Sequence, residues 1–316
     1  KPAGRWDSFH QIAPAVVRFQ NQWRLYYSGN DSDSEFGYQI GVARKQLDGK
    51  WHYPFSKPLL PLDSTGWASA GNIYADVHYF PKLNIFKMWY SGFSGPLSAI
   101  GLAVSRDGFD WKPLGEGPVF SALPGVIAPE VVFNGEGYTM YFARLTLDNG
   151  IRTIICKTTS ADGINWGEIE PLLYPQEKWE GNKLMSPNLS YFEGRVHLFY
   201  CAQRGSAWRI GEAVADAEFI SRGVWRSEII TTSARRIEII YEEPPETHLL
   251  VSLIDLAGDK SIPLNIRTVL REIRRGVFSA ITPLPSLAGA IQIEIQMETK
   301  ATTRSPVVYE MKLLPD

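Results

Sequence analysis

Two acidic residues hold matching places in a chain that repeats itself. Glu130 lies in IAPEVV and Asp76 in YADVHY, each within a short apolar run. Paired carboxylates are the equipment of acid–base hydrolysis. One is kept protonated by a raised pKa, and its partner stays ionised and activates water. Two carboxylates brought close repel each other, so Asp76 beside Glu130 is expected to raise the pKa of Glu130.

The elements that must position these acids recur four times between about residues 10 and 225. The segments read IAPAVVRF, WRLYYSG and IGVAR; YADVHYF, FKMWYSG and IGLAV; IAPEVVF, YTMYFAR and IICKT; MSPNLSYF, VHLFYCA and IGEAV. Ile40, Ile100, Ile155 and Ile210 are matched, 60, 55 and 55 residues apart. A period of roughly 50 residues made of alternating, strand-like pieces predicts a β-propeller with one four-stranded sheet per repeat. In a propeller the first strand of each blade lines the central channel and has a free edge, so a proline near its start forfeits no ladder bond. Pro14, Pro129 and Pro187 sit there. The residues beside them read Ala13-Pro14, Ala75-Asp76, Pro129-Glu130 and Pro187-Asn188, which puts the two acids on adjacent blades. As a purely structural residue, Glu130 would be a salt-bridged channel carboxylate with Arg144 as partner.

Trp6, Trp67 and Trp179 precede the innermost strands by seven to nine residues, which predicts loops at the channel mouth. Indole faces there either stack on the flat apolar faces of sugars or pack between blade edges. His10, Arg144 and Asn188 are polar candidates for binding sugar hydroxyls. The hairpins SRDGFDW and SADGINW resemble the Asp-box turns of propeller sialidases, where Asp caps the turn, Gly takes positive φ and Trp packs between sheets. Their expected role is structural, on outer strands.

The 316 residues allow two domains or one large one, and a net charge of −2 argues against a nucleic-acid or membrane-surface partner. Cys156 and Cys201 fall on strands of neighbouring repeats and read as buried free thiols, with no metal-ligand spacing. No transmembrane run or signal peptide is evident, and the chain starts at Lys1. Compartment stays open, with an extracellular or periplasmic setting favoured. After about residue 225 the period stops. IEIIYEE, THLLVSLID, AIQIEIQMET and PVVYEMKLL alternate as strands. They predict a β-sandwich over 226–316 after a propeller over 1–225, in an all-β chain.

At the blade starts IAPAVV, YADVHY and IAPEVV the chain resembles the five-bladed propeller glycoside hydrolases, the clan of arabinanases, xylosidases and invertases. The C-terminal strands resemble the jelly-roll modules that follow carbohydrate-active propellers. The first resemblance implies inverting hydrolysis of an oligo- or polysaccharide, with water attacking between carboxyl groups ~6.5–9.5 Å apart. It implies Glu130 as general acid, Asp76 as orienting carboxylate, and a base in an Asp-Pro at another blade start. In the first visible blade that position is Ala13. Either a blade before Lys1 or the C-terminal strands supply what is missing, or the protein is a glycan-recognition module without catalysis, as in a phage tail or surface complex. Asp7, six residues before Ala13, is the substitute base considered. No cofactor is expected, and a central structural ion such as calcium is left open, as are the sugar and the oligomeric state. A sialidase is disfavoured because the innermost strands carry no arginine set. A protein-interaction propeller is disfavoured because it would present a flat charged face rather than loops bearing tryptophan.

Overall fold

The fold is that of a computed structural model. It describes residues 5–315, except 21, 35, 47, 61, 63–65, 148–149, 193–194, 217–221, 228, 232–233, 244–246, 257–259, 267–269, 275–276, 286–289 and 300–306. Contacts divide the chain into two units. One comprises Lys1–Ser190 and His197–Ala213, the other Tyr191–Val196 and Val214–Asp316. The described residues form strands and one short 3-10 turn, Pro81–Leu83.

The first unit is a series of antiparallel blades. β1 (His10–Phe19), β2 (Gln22–Asn30), β3 (Gln39–Lys45) and β4 (Trp51–His52) make the first. β5 (Gly71–Phe80), β6 (Ile85–Ser94), β7 (Leu97–Ser105) and β8 (Lys112–Pro113) make the second. β9 (Val126–Phe133), β10 (Tyr138–Thr146), β11 (Arg152–Ser160) and β12 (Glu170–Leu173) make the third. β13 (Lys183–Phe192), β14 (Arg195–Arg204) and β15 (Ala207–Asp216) make the fourth, joined to the third by one parallel pair, Thr153 with Lys183.

Period-two alternation gives each blade two apolar faces, one for each neighbour. On β6, Phe86, Met88 and Tyr90 join a core with Tyr26, Ile40 and Val42 of the first blade. Trp89, between them in sequence, joins the opposite core with Val131, Met140 and Phe142 of the third. The Asp-box turns lock the same stack. Asp107 Oδ1 accepts the Phe109 and Asp110 N–H groups at 2.8 and 2.9 Å, and Gly108 takes φ 74°. Asp162 caps Ile164 and Asn165 in the same way. Each turn docks on the preceding blade: Tyr26 Oη donates to the Gly108 carbonyl at 2.9 Å and Trp89 Nε1 to that of Gly163 at 2.9 Å.

The second unit holds two antiparallel sheets. β16 (Arg222–Arg226), β17 (Ile230–Thr231), β18 (Arg236–Glu242), β19 (Thr247–Asp255), β20 (Lys260–Leu264), β21 (Leu270–Arg274), β22 (Val277–Pro283), β23 (Ala290–Thr299) and β24 (Val307–Leu314) are its strands. One sheet runs β16-β23-β19-β20, with β17 also on β23, and the other runs β21-β22-β18-β24. Ile237, Ile239 and Tyr241 of β18 share one core with Leu249, Val251 and Leu253 of β19 and Ile291, Ile293 and Ile295 of β23. Two sheets closing on one core make a sandwich.

Candidate active site

The innermost strands of the first three blades break their register at the same place. The breaks fall between Ile12 and Ala15, between Ile73 and Asp76, and between Ile127 and Glu130. The first residue of each break has positive φ: Ala13 at 51°, Tyr74 at 55°, Ala128 at 57°, with Ser186 at 52° in the fourth blade. A non-glycine residue is strained there, and its recurrence marks a shared bulge that re-aims the following side chain. Serines on the second strands hold it. Ser28 Oγ accepts the Tyr74 N–H at 3.0 Å, and Ser91 Oγ accepts the Ala128 N–H at 2.8 Å. This corrects the alignment expected from sequence. Ala13 matches Tyr74 and Ala128, so the residue matching Asp76 and Glu130 is Ala15, and neither alanine offers a carboxylate.

The two acids clasp successive blades. Asp76 Oδ2 accepts the Val131 N–H at 2.7 Å and faces His78 Nε2 at 2.9 Å. Glu130 Oε1 accepts the Leu189 N–H and the Asn188 side-chain amide, both at 3.2 Å. Its other oxygen, Oε2, takes no hydrogen bond among the described residues. Burial, and then the Asp76 charge, push the Glu130 carboxyl from 4.5 up to about 8, against the pull of Leu189, His78 and Asn188. The expected like-charge effect is therefore present but second to burial. Burial alone would lower the His78 imidazole, and Asp76 and Glu130 outweigh it and leave it raised. The result is a half-buried carboxyl that holds its proton near neutrality, next to a second carboxylate paired with an imidazole. Such a group can deliver a proton to a leaving oxygen.

Arg144 is not the partner of Glu130. It stands on β10 opposite Val126 and Ile154 and makes no ion pair among the described residues. Asp7 is 1% exposed and closed in by its own neighbours. Arg5 donates to it at 2.9 Å, Gln11 at 2.8 Å and Tyr27 at 2.7 Å. Burial opposes its ionisation, but Arg5, Tyr27 and Gln11 together hold its carboxyl below the ordinary value. These bonds tie the Asp7 carboxylate to its own turn. Glu180 repeats the arrangement beside Trp179, accepting from Tyr200 and from the Gln176 and Glu177 N–H groups.

The three tryptophans each pack one face on a tyrosine of their own blade and stay partly exposed. Trp6 stacks on Tyr27 at 5.9 Å, Trp67 lies over Tyr90 at 5.7 Å and Trp179 stacks on Tyr200 at 6.3 Å. Each covers the glycine after the matched isoleucine. A Cβ at Gly41 would lie 2.8 Å from Trp6, and one at Gly101 or Gly211 2.7 Å from Trp67 or Trp179. That close approach is why the third strands read IG.

His10 faces the Tyr38 hydroxyl at 2.8 Å at the start of the first blade. Tyr74, which the sequence reading did not single out, opens the bulge that precedes Asp76. Burial pushes its phenol up to about 12, with Ser186 of the fourth blade nearby acting the other way. The available signal was a tyrosine where two other repeats carry alanine. Cys156 is buried and Cys201 half-buried, both unbonded, so only the first fits the buried thiol expected. Among the described residues no group of three or more His, Cys, Asp or Glu could hold a metal ion.

No family model and no curated protein matches this sequence. Solved structures do match in shape. A structure described as a glycoside hydrolase superposes with TM-score 0.59 at 18% identity, covering 67% of this chain and 71% of its own. A thermostable family-43 glycoside hydrolase gives 0.53 at 20%, covering 66% and 69%. An endo-1,4-beta-xylanase from Bacteroides thetaiotaomicron gives 0.53 at 18%, with the same coverage. Identities this low speak for shape alone. The chain is all-β and has the propeller fold of the glycoside hydrolases.

Proposed function

We propose that the propeller acts on a glycan at its channel mouth, by inverting hydrolysis with Glu130 as proton donor and Asp76 as the carboxylate that orients and charges the site. The observation that carries this reading is Glu130 itself. It is bound through one oxygen to the next blade, its other oxygen takes no partner among the described residues, and its pKa is raised by burial and by Asp76. Asn188, His10 and Tyr74 are the polar candidates for sugar hydroxyls in this reading. Asp7 is held by Arg5, Gln11 and Tyr27, and the blade-one positions are alanines, so this reading assigns the water-activating base to none of these residues.

A second reading has its own support. A closed Asp7 and alanines at positions 13 and 15 leave a site that recognises a glycan without cutting it. Reducing-sugar release from a broad glycan panel, run with wild type and Glu130→Gln, separates the two. Hydrolysis predicts release by wild type that disappears in the variant, with a rate that falls as pH rises through about 8 as the donor loses its proton. Recognition alone predicts no release by either protein and retained binding on the same panel.

A further inference from the structure

The third blade breaks the pattern of the other three in one place. Blades one, two and four cover their second and third strands with a tryptophan. Under it lie small residues: Gly29 and Gly41 in the first blade, Gly92 and Gly101 in the second. The pairings Phe142 with Cys156 and Arg144 with Ile154 put Arg144 at the place of Gly29 and Gly92, and Cys156 at that of Gly41 and Gly101. The connection leading into β9, VFSALPG, contains no tryptophan.

Where the indole is missing a groove of about 410 Å³ opens, a size suited to one or two sugar rings. Arg144, Thr146 and Arg152 line it together with Leu123, Leu147 and Tyr174. The three apolar side chains are 78%, 64% and 51% exposed. Arg144 Nε is buried and has no hydrogen-bond partner. Neither arginine forms an ion pair among the described residues. A buried guanidinium nitrogen without a partner is costly unless an acceptor arrives. A planar fork of donors fits a carboxylate through two parallel bonds. The exposed leucines and the tyrosine ring add a flat apolar wall, which inorganic phosphate would leave unused and a pyranose face would cover.

We infer that this groove on the third blade is a binding subsite for a uronic-acid residue of an acidic glycan, its carboxylate held by Arg144 and Arg152. The inference rests on the carbohydrate reading of the propeller but not on catalysis, because the groove is built apart from Glu130.

The test is calorimetric binding of trigalacturonate, and of the same trisaccharide with its carboxyls reduced, to wild type, Arg144→Met and Arg152→Gln. Melting temperatures would be measured alongside. Loss of a charge-assisted pair predicts affinity for trigalacturonate about tenfold or more weaker in Arg144→Met, and a smaller loss in Arg152→Gln. Arg152 is exposed, so that variant keeps the test open if Arg144→Met fails to fold. Wild-type binding should weaken with salt, and the reduced sugar should bind poorly. Equal affinity for acidic and reduced sugars would overturn the proposal. So would unchanged affinity in both variants, or binding of inorganic phosphate without trigalacturonate. The readout is binding, so a protein that releases no sugar can still pass, and one that cuts neutral glycans but ignores trigalacturonate fails on this point alone.

Discussion

The inner blade interfaces and the two outer faces of the propeller series are built from the same sequence repeat and end in opposite environments. Ile40, Ile100 and Ile155 are each 0% exposed, and Ile210, matched to them by spacing and by the following glycine, is 77% exposed. On the opposite face, Val77 and Val131 are 4% and 2% exposed, and their counterpart Val16 is 53% exposed. Trp23, matched to the fully buried Phe86, is 42% exposed. A blade therefore carries two half-interfaces by its alternation alone, and a neighbour decides whether each becomes core or surface. The outer faces of the first and fourth blades are two unmatched halves of an interface that the molecule otherwise repeats.

The largest expected effect tests that contrast directly. Ile100→Ala should cost about 2–5 kcal/mol in urea unfolding, because it empties a packed interface. Ile210→Ala should stay within about 0.5 kcal/mol, as for an exposed site. Equal costs would break the comparison and show that the fourth blade's outer face is covered in solution.

Next in size is Asp76→Ala, which leaves the Val131 N–H without its acceptor and His78 without its carboxylate. It should cost about 2–3 kcal/mol by the same measurement. A loss no greater than that of an exposed-site change would mean the clasp between the second and third blades is idle.

The pH dependence of Glu130→Gln sharpens the picture at the junction of the third and fourth blades. Glu130 binds its proton more tightly folded than unfolded, with its pKa moved from 4.5 to about 8. Wild-type stability from this group is thus complete below pH 4.5 and declines as pH rises toward 8. His78, also raised, acts with the same sign. The melting temperature of Glu130→Gln relative to wild type should therefore climb across that window. A flat difference from pH 4 to pH 9 would contradict it. The smallest effect is expected of Val16→Gln, within about 0.5 kcal/mol, with less self-association in sedimentation if the open face is sticky.

The repeat itself was readable because alternation, turn chemistry and spacing are local. The Asp-box turns follow the same logic, since Asp107 and Asp162 bond N–H groups two and three residues away. Glu130 and Asp76 could be singled out as acids on adjacent innermost strands from position alone. The bulge that aims them could not, because its signature is a backbone angle at Ala13, Tyr74, Ala128 and Ser186, three residue types of which none favours positive φ. At Tyr74 and Ala128 a serine of the preceding blade accepts the N–H of that residue.

The tryptophan loops show the same division. Sequence placed Trp6, Trp67 and Trp179 before the innermost strands and left their faces free to stack on sugar or on protein. The glycines of the third strands, some 30 residues further on, let each indole lie down on its own blade. Arg144 moved the other way, from a supposed partner of Glu130 to the wall of a separate groove, because one missing indole in the third repeat left space beside it.

By itself, then, the sequence determined the blade pattern, the turns and the residue types available for chemistry, since each depends on neighbours a few positions apart. Only the tertiary structure decided which apolar faces are buried, that burial outranks Asp76 in raising Glu130, and that Asp7 is closed off. These depend on what another blade or a distant loop places within a few ångströms, and burial and charge act through space rather than along the chain.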